Sequence, residues 1–547
     1  MDNKEIIQFC MEKGILLDKY LFTVFSESDE IDLEVTKSII EKIGQQTKKR
    51  VITKNLFFEN KDKLDKIFNT FPKESQGKIE KLKIKLGLSL EISKEMVDKK
   101  IDISSKSGVM GKDNSSLILK GKGKFNNDFF NNVKVNFYDT VSGKKLEVND
   151  FVKYFRNRYN EISNVLRDRG ELNNLISINK ISGNSQSVSI IGMVLNKRVT
   201  KNKNLIIELE DLTGKINVLI NVNKPELMEK GEEVALDSVI GVKGFGSREI
   251  LFLNDIIFPD SIITERKKSP FEEFALFTGD LHIGANNFME SNFLKFIKYL
   301  NGDVAGTNYD EIMKIKYLFI VGDLIAGVGI YPGQENDLNI PDVEEQYSKA
   351  AELLAKIRGD ITIILSPGNH DALRIMEPQP ILDEKFAWPI YELKNVMLTG
   401  NPSLINIGQK NKDGLNFNGF NVLTYHGYSF HYYANNINYL MKQKAAHSPE
   451  KIMSYLLKNR HLAPTHSSTL YFPGEVDPLF IKEIPDIFFS GHTHKSALTY
   501  YKNILVISSS CWERKTAFQE KMGNEPDFCK VPMFNLKTRE VKILDFE

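Results

Sequence analysis

Five apolar, strand-like runs in the second half of this 547-residue chain each end in a short polar segment. Because strands that are apolar throughout are typical of sheets covered on both faces, the runs predict such a sheet. All nine histidines lie at or beyond His282, and five of them fall in the polar segments. The segments are, in order, Asp280-Leu281-His282, Gly322-Asp323, Gly368-Asn369-His370-Asp371, His426-Gly427 and Gly491-His492-Thr493-His494.

The residue types in these segments predict a metal centre. In open α/β sheets ligands bind beyond the carboxyl ends of strands, where these segments are expected to lie. Carboxylate, imidazole and amide groups without a thiolate favour Mn²⁺, Fe²⁺ or Zn²⁺ over an iron–sulfur cluster or a structural zinc site. Two ions about 3.5–4 Å apart can activate a water molecule and hold both oxygens of a phosphate ester. Asp323 is the candidate bridging ligand, since Gly322 allows a tight turn before it.

Each segment taken alone has a simpler interpretation. A single Asp-x-His is more often a satisfied polar pair than a ligand pair, and Gly-Asp at a strand end is usually a turn. Five such segments in order, each after an apolar run, favour the metal centre. Four further histidines lack this placement and are expected at the surface or in support of the ligands; they are His431, His447, His461 and His466.

The bulk composition excludes several classes of protein. Lys and Arg number 73 against 72 Asp and Glu, so any contact with nucleic acid must be local. Cys10, Cys511 and Cys529 are too scattered for a disulfide framework and predict reduced thiols in a cytosolic protein. The N-terminus has no apolar core of a secretory signal, and no stretch resembles a membrane span. We therefore expect a cytoplasmic protein without membrane contact.

The first 145 residues hold none of the candidate catalytic or metal-ligating residues. Residues 1–70 show helical spacing of apolar residues and predict a small helical domain that docks partners. Residues 71–145 are expected to form a linker, in which residues 73–124 hold 13 Lys and 7 acidic residues. A solvated linker is the simpler interpretation of this stretch, and electrostatic contact with DNA phosphates is the more specific alternative.

Residues 146–262 predict a helix followed by a small β-barrel. The helix over 146–169 has one apolar face, and its four arginines are expected on the solvated face. Five short strands over 186–260, separated by turn signals, indicate a closed barrel of the OB-fold type. The strands carry few aromatic residues, Phe245 and Phe252, so a barrel that binds protein stays as open as one that binds single strands. The alternating strands and helices of residues 270–547 then complete a multidomain α+β chain.

The polar segments resemble those of the calcineurin-like metallophosphoesterase superfamily over about 275–515. The resemblance implies a two-sheet sandwich flanked by helices. It also implies ligand sets, with His370 acting on the leaving oxygen and Asp371 orienting that ring. One metal set is Asp280, His282, Asp323 and His494, and the other is Asp323, Asn369, His426 and His492.

Longer strings resemble the small subunits of archaeal family-D DNA polymerases, also called DNA polymerase II. These are GDLIAGVGIYPGQE (322–335), PGNHDALRIMEPQP (367–380), RHLAPTHSS (460–468) and WERKTAFQEKM (512–522). The resemblance implies a heterodimer with a large polymerase subunit and 3′→5′ proofreading of single-stranded or mismatched DNA ends. It also implies association with the nucleoid, and it adds other replication factors to the partners expected for the helical domain (1–70). It implies two divalent ions, with Mn²⁺ expected first and Fe²⁺ or Zn²⁺ as alternatives.

Two other functions remain open at this stage. A non-catalytic scaffold subunit would share the architecture without the ligands, and a free-standing repair nuclease would lack the preceding barrel. One departure from many phosphoesterases is Ala326, which replaces an acid three residues after Asp323. Since that acid is not an expected ligand, its loss is not expected to remove the metal centre.

Overall fold

The structure is a computed structural model, and it describes only part of the N-terminal region. The described residues are 3–17, 21–22, 36–42, 51–52, 133–137, 146–470 and 472–547. Most of the predicted helical domain (1–70) and of the predicted linker (71–145) therefore lies outside the described residues.

The described N-terminal residues form a small unit with a buried apolar centre. It holds helix α1 (Asn3–Lys13) and a parallel pair of two-residue strands, β1 (Leu16–Leu17) and β2 (Val51–Ile52). Residues 36–42 are also helical. Ile6, Leu21, Ile39, Ile40 and Ile52 are fully buried in it. The sequence predicts the helices but not the strand pair, because two residues are too few to show alternation.

Helix α2 (Val148–Arg167) forms where the sequence predicts it, but it buries a different set of residues. Tyr154 and Arg158 are fully buried, whereas Val148 is 82% exposed. The expectation that Arg158 is solvated is wrong, because its guanidinium donates to Asp477 at 2.6 Å and to the carbonyl of Pro464 at 2.5 Å. A buried ion pair thus joins this helix to the C-terminal half of the chain.

A closed five-stranded barrel follows the helix, as predicted from the turn spacing. Around the barrel the strands run β4-β5-β6-β8-β7, with β4 also paired to β7. Its core consists of apolar side chains that alternate inward along each strand, such as Ile207, Val218 and Leu253. The elements are β4 (Gln186–Val199), β5 (Leu205–Glu210), β6 (Lys215–Ile220), α3 (Pro225–Glu233), β7 (Val239–Gly246) and β8 (Ile250–Ile257).

The C-terminal half is a sandwich of two six-stranded sheets. One sheet has the order β12-β11-β10-β9-β20-β21 and the other β18-β19-β17-β16-β13-β3. The first contains β9 (Phe274–Gly279), β10 (Ile315–Val321), β11 (Thr362–Ser366), β12 (Val396–Leu398), β20 (Lys530–Asn535) and β21 (Val541–Asp545). The second contains β3 (Val133–Phe137), β13 (Ser403–Ile407), β16 (Phe420–Tyr425), β17 (Ile487–Ser490), β18 (Ala497–Tyr501) and β19 (Ile504–Ser508).

Strand β3 lies in the stretch where the sequence predicts a linker. It pairs antiparallel with β13, and its Val133 is buried in the core between the sheets. A strand of five residues beside a Lys-rich stretch gives a weak signal, and its partner lies about 270 residues further along the chain.

The sandwich has one apolar layer between its sheets and one on each outer face. Phe277, Phe319 and Phe489 pack together in the central layer. Helices cover the outer faces, and the hairpin of β14 (Lys410–Lys412) and β15 (Leu415–Phe417) connects β13 to β16. The helices are α4 (Glu290–Asn301), α5 (Tyr309–Met313), α6 (Val343–Leu354), α7 (Glu384–Tyr391), α8 (Phe430–Asn436), α9 (Asn438–Lys442), α10 (Pro449–Asn459) and α11 (Ala517–Met522). Of the helices in the described residues, none is both long and apolar enough to cross a membrane.

Candidate metal centre

The five polar segments follow β9, β10, β11, β16 and β17 directly, as the sequence predicts. Strands β9, β10 and β11 are parallel neighbours in one sheet, and β16 and β17 are parallel neighbours in the other. Their carboxyl ends therefore reach the same edge of the sandwich from two sides. The sandwich brings all the predicted ligands together at that edge.

The backbone at the centre is strained. Five site residues other than glycine have positive φ angles, a conformation that costs about 1–2 kcal/mol for an L-residue. Such strain persists only where the surrounding structure enforces it, and it is commonest at functional sites. The residues are Asp280 (51°), His282 (51°), Asp323 (48°), His492 (68°) and His494 (54°).

Three glycines of the polar segments make room for the site's side chains. A Cβ atom on Gly322 would lie 2.0 Å from His426 Nδ1, and one on Gly368 would lie 2.2 Å from Asp323 Oδ1. A Cβ atom on Gly491 would lie 2.6 Å from Asp280 Oδ2. The glycines are needed because functional side chains occupy the space that their own side chains would fill.

The first cluster contains Asp280, His282 and His494, whose ligand atoms lie within 4.8 Å of one another. His282 Nε2 is 3.0 Å from His494 Nε2, and His494 Nε2 is 3.7 Å from Asp280 Oδ1. Asp280 also accepts hydrogen bonds from the His492 backbone N–H at 3.0 Å and from the Ser509 hydroxyl at 3.2 Å. These contacts fix the carboxylate so that it points at the two imidazoles.

The second cluster contains Asp323, His426 and His492. A third cluster, His282, Asp323 and His370, has one residue in common with the first cluster and one with the second. Asp323 Oδ2 is 3.3 Å from His426 Nε2 and 3.8 Å from His282 Nε2, so this carboxylate lies between the clusters. Asn369 Oδ1 is 3.0 Å from His426 Nε2 and adds an amide oxygen. The position of Asp323 is the one expected for a bridging ligand.

The electrostatics leave most of the imidazoles neutral. Burial lowers the pKa of His282 and His492 well below the ordinary value and that of His494 to about 4. Burial opposes charge on His426 too, but the neighbouring Asp323 raises its pKa to about 9. Burial raises the pKa of Asp280 to about 8. The site thus holds three neutral imidazoles beside the buried Asp280 carboxyl, whose ionised form burial disfavours and a bound cation would favour.

These groups fit two divalent ions. Burying acidic and imidazole groups this closely is unfavourable unless cations satisfy them. Imidazole, carboxylate and amide ligands suit Mn²⁺, Fe²⁺ and Zn²⁺, and the described residues place no cysteine among the three clusters. The three histidines with lowered pKa values are already in the unprotonated form that a metal requires.

His370 lies beside the clusters with its ring orientation fixed. Its Nδ1 atom is 2.9 Å from the carbonyl oxygen of Ala326, and its Nε2 atom is 4.0 Å from Asp323 Oδ2. Because a carbonyl oxygen can only accept, Nδ1 carries a proton and Nε2 faces the site. Ala326, where many phosphoesterases have an acid, therefore supplies a backbone contact that does not depend on its side chain.

Asp371 does not orient His370, which corrects the expectation drawn from the family. Its carboxylate accepts hydrogen bonds from the backbone N–H groups of Gly368 at 2.9 Å and Leu324 at 3.4 Å. The Tyr347 hydroxyl donates to it at 3.3 Å. Asp371 instead ties the loop after β11 to the end of β10, and so it supports the position of the loop that carries Asn369 and His370.

The comparisons with known proteins agree with the site. Residues 275–496 match the calcineurin-like phosphoesterase family. The chain is 35% identical over 470 residues to the DNA polymerase II small subunit of Methanothermobacter thermautotrophicus, which covers 86% of this chain and 92% of that protein. The chain belongs to the family of archaeal DNA polymerase II small subunits.

Two further members of this family show similar identity. The small subunit of Pyrococcus furiosus is 36% identical over 415 residues, covering 74% of this chain and 65% of that protein. The one from Archaeoglobus fulgidus is 36% identical over 383 residues, covering 69% and 73%. The chain thus spans just under two thirds of the Pyrococcus furiosus relative.

One residue at the site of this small-subunit chain was missed by reasoning from the sequence. Gln519 on α11 lies with its amide nitrogen 3.0 Å from His494 Nδ1. The same side chain accepts the backbone N–H of Thr516 at 3.0 Å, which completes a capping box at the start of α11. The only signal was its position in the string WERKTAFQEKM, which carries the family resemblance.

The four unplaced histidines have different environments. His431 is exposed, and its ring centroid lies 5.2 Å from that of His492, at the rim of the site. His466 packs edge-on against Phe155 of α2. His461 is fully buried and bonded at 2.8 Å to Asp477, which is not a candidate ligand, so it neither lies at the surface nor supports a ligand through this bond. His447 is exposed.

Proposed function

We propose that this chain is a metal-dependent 3′→5′ exonuclease that removes nucleotides from single-stranded or mismatched DNA ends. The observation that carries the proposal is the pair of carboxylate–imidazole clusters joined through Asp323, which belongs to the second cluster and has its Oδ2 atom 3.8 Å from His282 Nε2 of the first. A phosphodiester needs charge stabilisation on the attacked, the bridging and the leaving oxygens, and two cations at one carboxylate can supply it. A frayed terminus costs less to bring into such a site than a paired one.

The site residues have two proposed roles: most bind the ions, and one donates a proton or stabilises charge. We assign one ion, Mn²⁺ first and Fe²⁺ or Zn²⁺ next, to Asp280, His282, Asp323 and His494. We assign the second to Asp323, Asn369, His426 and His492. When bound, the ions would lower the pKa of a water molecule and neutralise charge on the phosphate.

His370 is the remaining group that can touch the reacting atoms. The Ala326 carbonyl fixes the ring so that Nε2, with its lone pair or proton, faces the cleft beside Asp323. A protonated Nε2 can stabilise the negative charge on a phosphoryl oxygen or donate a proton to the leaving oxygen. Its T-shaped contact with His282, at 4.7 Å between ring centroids, holds the ring at the mouth of the first cluster.

The partners follow from the family to which the chain belongs. We propose that it pairs with a large polymerase subunit and that the exonuclease corrects errors made by that subunit. We also propose that the barrel is an OB-fold, since its strand order β4-β5-β6-β8-β7, with a helix between β6 and β7, follows that pattern. The division into a docking domain (1–70), a linker (71–145), a barrel region (146–262) and an exonuclease domain (270–547) is part of this proposal.

A non-catalytic scaffold is the second candidate function. The observation in its favour is the family name, which refers to a subunit and not to a nuclease. A scaffold has no need for strained ligand backbones, three glycines without room for a Cβ atom, or a fixed His370. A free-standing repair nuclease is less compatible with a chain that aligns over 92% of a polymerase small subunit.

Metal analysis and digestion of labelled DNA separate these functions. The purified full chain, stripped with chelator and reloaded with Mn²⁺, should bind close to two ions and degrade single-stranded DNA. The same sample in excess chelator should leave the DNA intact. A chain that binds no Mn²⁺, Fe²⁺ or Zn²⁺ would be a scaffold.

A further inference from the structure

The outer surface of the barrel carries a continuous apolar row. Leu219 on β6 pairs with Ile206 on β5 and with Phe252 on β8, and Phe252 pairs with Phe245 on β7. The four side chains therefore lie side by side across four neighbouring strands. Because strands are about 4.8 Å apart, the row is about 14 Å long. We call Ile206, Leu219, Phe252 and Phe245 the barrel row.

The two phenylalanines of the row point into solvent. Phe245 is 48% and Phe252 is 50% exposed, whereas the residues beside them in each strand are buried, as in Leu251 and Leu253. Because these rings point outward, they do not add to the apolar core inside the barrel. Two exposed rings at paired positions on neighbouring strands instead leave an aromatic patch on the surface.

Cations lie on two sides of the row. Ile206 lies just after the β4–β5 loop, which holds Lys201 and Lys203, and Phe245 and Phe252 flank the β7–β8 loop, which holds Arg248 on the other side of the row. All three cations are exposed. Arg198, whose strand partner is Ile206, is exposed as well and extends the row. The acids nearby are Glu249, next to Arg248, and Glu208 and Glu210, which follow Ile206 on the outer face of β5.

The row lies away from the junction between the barrel and the exonuclease domain. Helix α2 packs its Ile162 and Leu166 against Val239 and Ile257, which are the first residue of β7 and the last residue of β8. Phe245 lies six residues further along β7, or about 20 Å at the strand rise. The row is therefore uncovered by the rest of the described chain.

We propose that the barrel row is a second DNA site, which binds single-stranded DNA by stacking bases on Phe245 and Phe252. Exposed rings with cations on either side are the combination that holds single strands, because every base has a flat face and every phosphate a charge. A protein partner needs about 800 Å² on each side of a stable interface. Two half-exposed phenylalanines offer roughly 200 Å². The proposal goes beyond the proposed hydrolysis, since binding here needs no metal.

The test measures DNA binding by the full chain without hydrolysis. A fluorescein-labelled oligo(dT) is titrated in chelator at low salt and followed by fluorescence anisotropy. The double variant Phe245→Ala/Phe252→Ala should weaken binding about tenfold or more. Lys201→Ala/Lys203→Ala should weaken binding and make it less dependent on salt. The matched controls are Ile543→Ala and Lys537→Ala, exposed residues of β21 and of the β20–β21 turn outside the barrel, which should bind as the wild type does.

A second variant tests stacking directly. Phe245→Trp should keep the affinity, and its added tryptophan fluorescence should be quenched by oligo(dT), whereas Phe245→Leu should bind more weakly. All variants should hydrolyse bis(p-nitrophenyl) phosphate with Mn²⁺ at the wild-type rate, since this small diester reaches the metal centre without the barrel. Loss of that activity in the wild type would contradict the proposed function and leave this inference standing.

Two results would overturn the barrel site. One is wild-type affinity for oligo(dT) in the Phe245→Ala/Phe252→Ala variant. The other is unchanged DNA binding combined with loss of co-purification with a large polymerase subunit, which would make the row a protein-docking surface.

Discussion

The Nδ1 atom of His370 lies 2.9 Å from the carbonyl oxygen of Ala326, so a backbone group fixes the one histidine of the site that is not a candidate ligand. Residue 326 is an alanine where many phosphoesterases have an acid. Because the contact uses the carbonyl oxygen, it does not require the acid. The departure from the family pattern thus leaves the orientation of His370 intact.

Replacing His370 should abolish hydrolysis and spare the metals. We expect His370→Ala to slow DNA cleavage by about 10²–10⁴-fold, the usual contribution of a positioned acid or base. Bound Mn²⁺, measured by elemental analysis, should equal that of the wild type. His447→Ala, which replaces an exposed histidine far along the chain from the ligands, is the control. Cleavage at the normal rate in His370→Ala would remove the role that we assign to this ring.

Adding one methyl group at Gly322 should disrupt the metal centre. In Gly322→Ala the new Cβ atom would lie 2.0 Å from His426 Nδ1, and φ is +73° at this residue. We therefore expect loss of the Asp323–His426 arrangement and at least a tenfold weaker affinity for Mn²⁺, measured by calorimetry. Gly333→Ala is the control, because its φ is also positive, at +85°, but nothing lies within 4 Å of its Cβ position. Equal effects of the two variants would show that backbone strain, and not the clash, is responsible.

Gln519 should tune the metal site through His494. The amide contacts Nδ1 at 3.0 Å while Nε2 points towards His282 and Asp280. Groups that orient a ligand in this way typically contribute 10–100-fold to metal affinity. The amide nitrogen donates to Nδ1 here, whereas a metal on Nε2 needs Nδ1 to carry the proton and an acceptor to face it. We therefore expect Gln519→Ala to weaken Mn²⁺ binding by about tenfold and Gln519→Glu, whose carboxylate can accept from Nδ1–H, to bind Mn²⁺ at least as tightly as the wild type. Glu520→Gln on the same helix is the control. If Gln519→Ala binds Mn²⁺ normally, the contact has no part in ligand positioning.

The buried network of Asp477 should make stability depend on pH. Burial lowers the pKa of His461 from its ordinary 6.5 to about 4, so the unfolded chain takes up this proton first as the pH falls. The resulting stability is fully present above about pH 6.5 and is lost towards pH 4, at up to about 1.4 kcal/mol per pH unit. In His461→Gln, which keeps a donor for Asp477, the midpoint of thermal unfolding should fall less between pH 6.5 and pH 5 than in the wild type.

The control for this effect is His466→Gln, since the His466 ring packs against Phe155 but lies outside the Asp477 network. Its pH profile should follow that of the wild type. A His461→Gln profile that also follows the wild type would show that His461 is not held neutral by burial.

Much of the candidate metal centre could be predicted from the sequence because each group of candidate ligands is a short segment next to its own strand. Each ligand segment directly follows an apolar strand, and the carboxyl ends of neighbouring parallel strands lie side by side. The placement of Asp280, Asp323 and His426 after their strands therefore predicts that these side chains lie close together.

Other features depend on contacts between residues that are far apart in the sequence. The guanidinium of Arg158 meets a carboxylate 319 residues away, and nothing near Arg158 distinguishes it from a solvated arginine on the same helix. The contact of His370 with Ala326 uses a backbone atom, which no side-chain pattern shows. The exposure of Phe245 and Phe252 also depends on register, which the spacing of the strands leaves open.

The direction of DNA degradation tests the proposed function most directly. A single-stranded oligonucleotide labelled at its 5′ end, and a second labelled at its 3′ end, are incubated with the full chain and Mn²⁺, alongside Asp323→Ala. The 5′-labelled strand should shorten stepwise, the 3′-labelled strand should release its label as a mononucleotide at once, and Asp323→Ala should leave both intact. A 5′-labelled strand that stays at full length with the Mn²⁺-loaded wild type, or that is degraded equally well by Asp323→Ala, would contradict a 3′→5′ exonuclease at this metal centre.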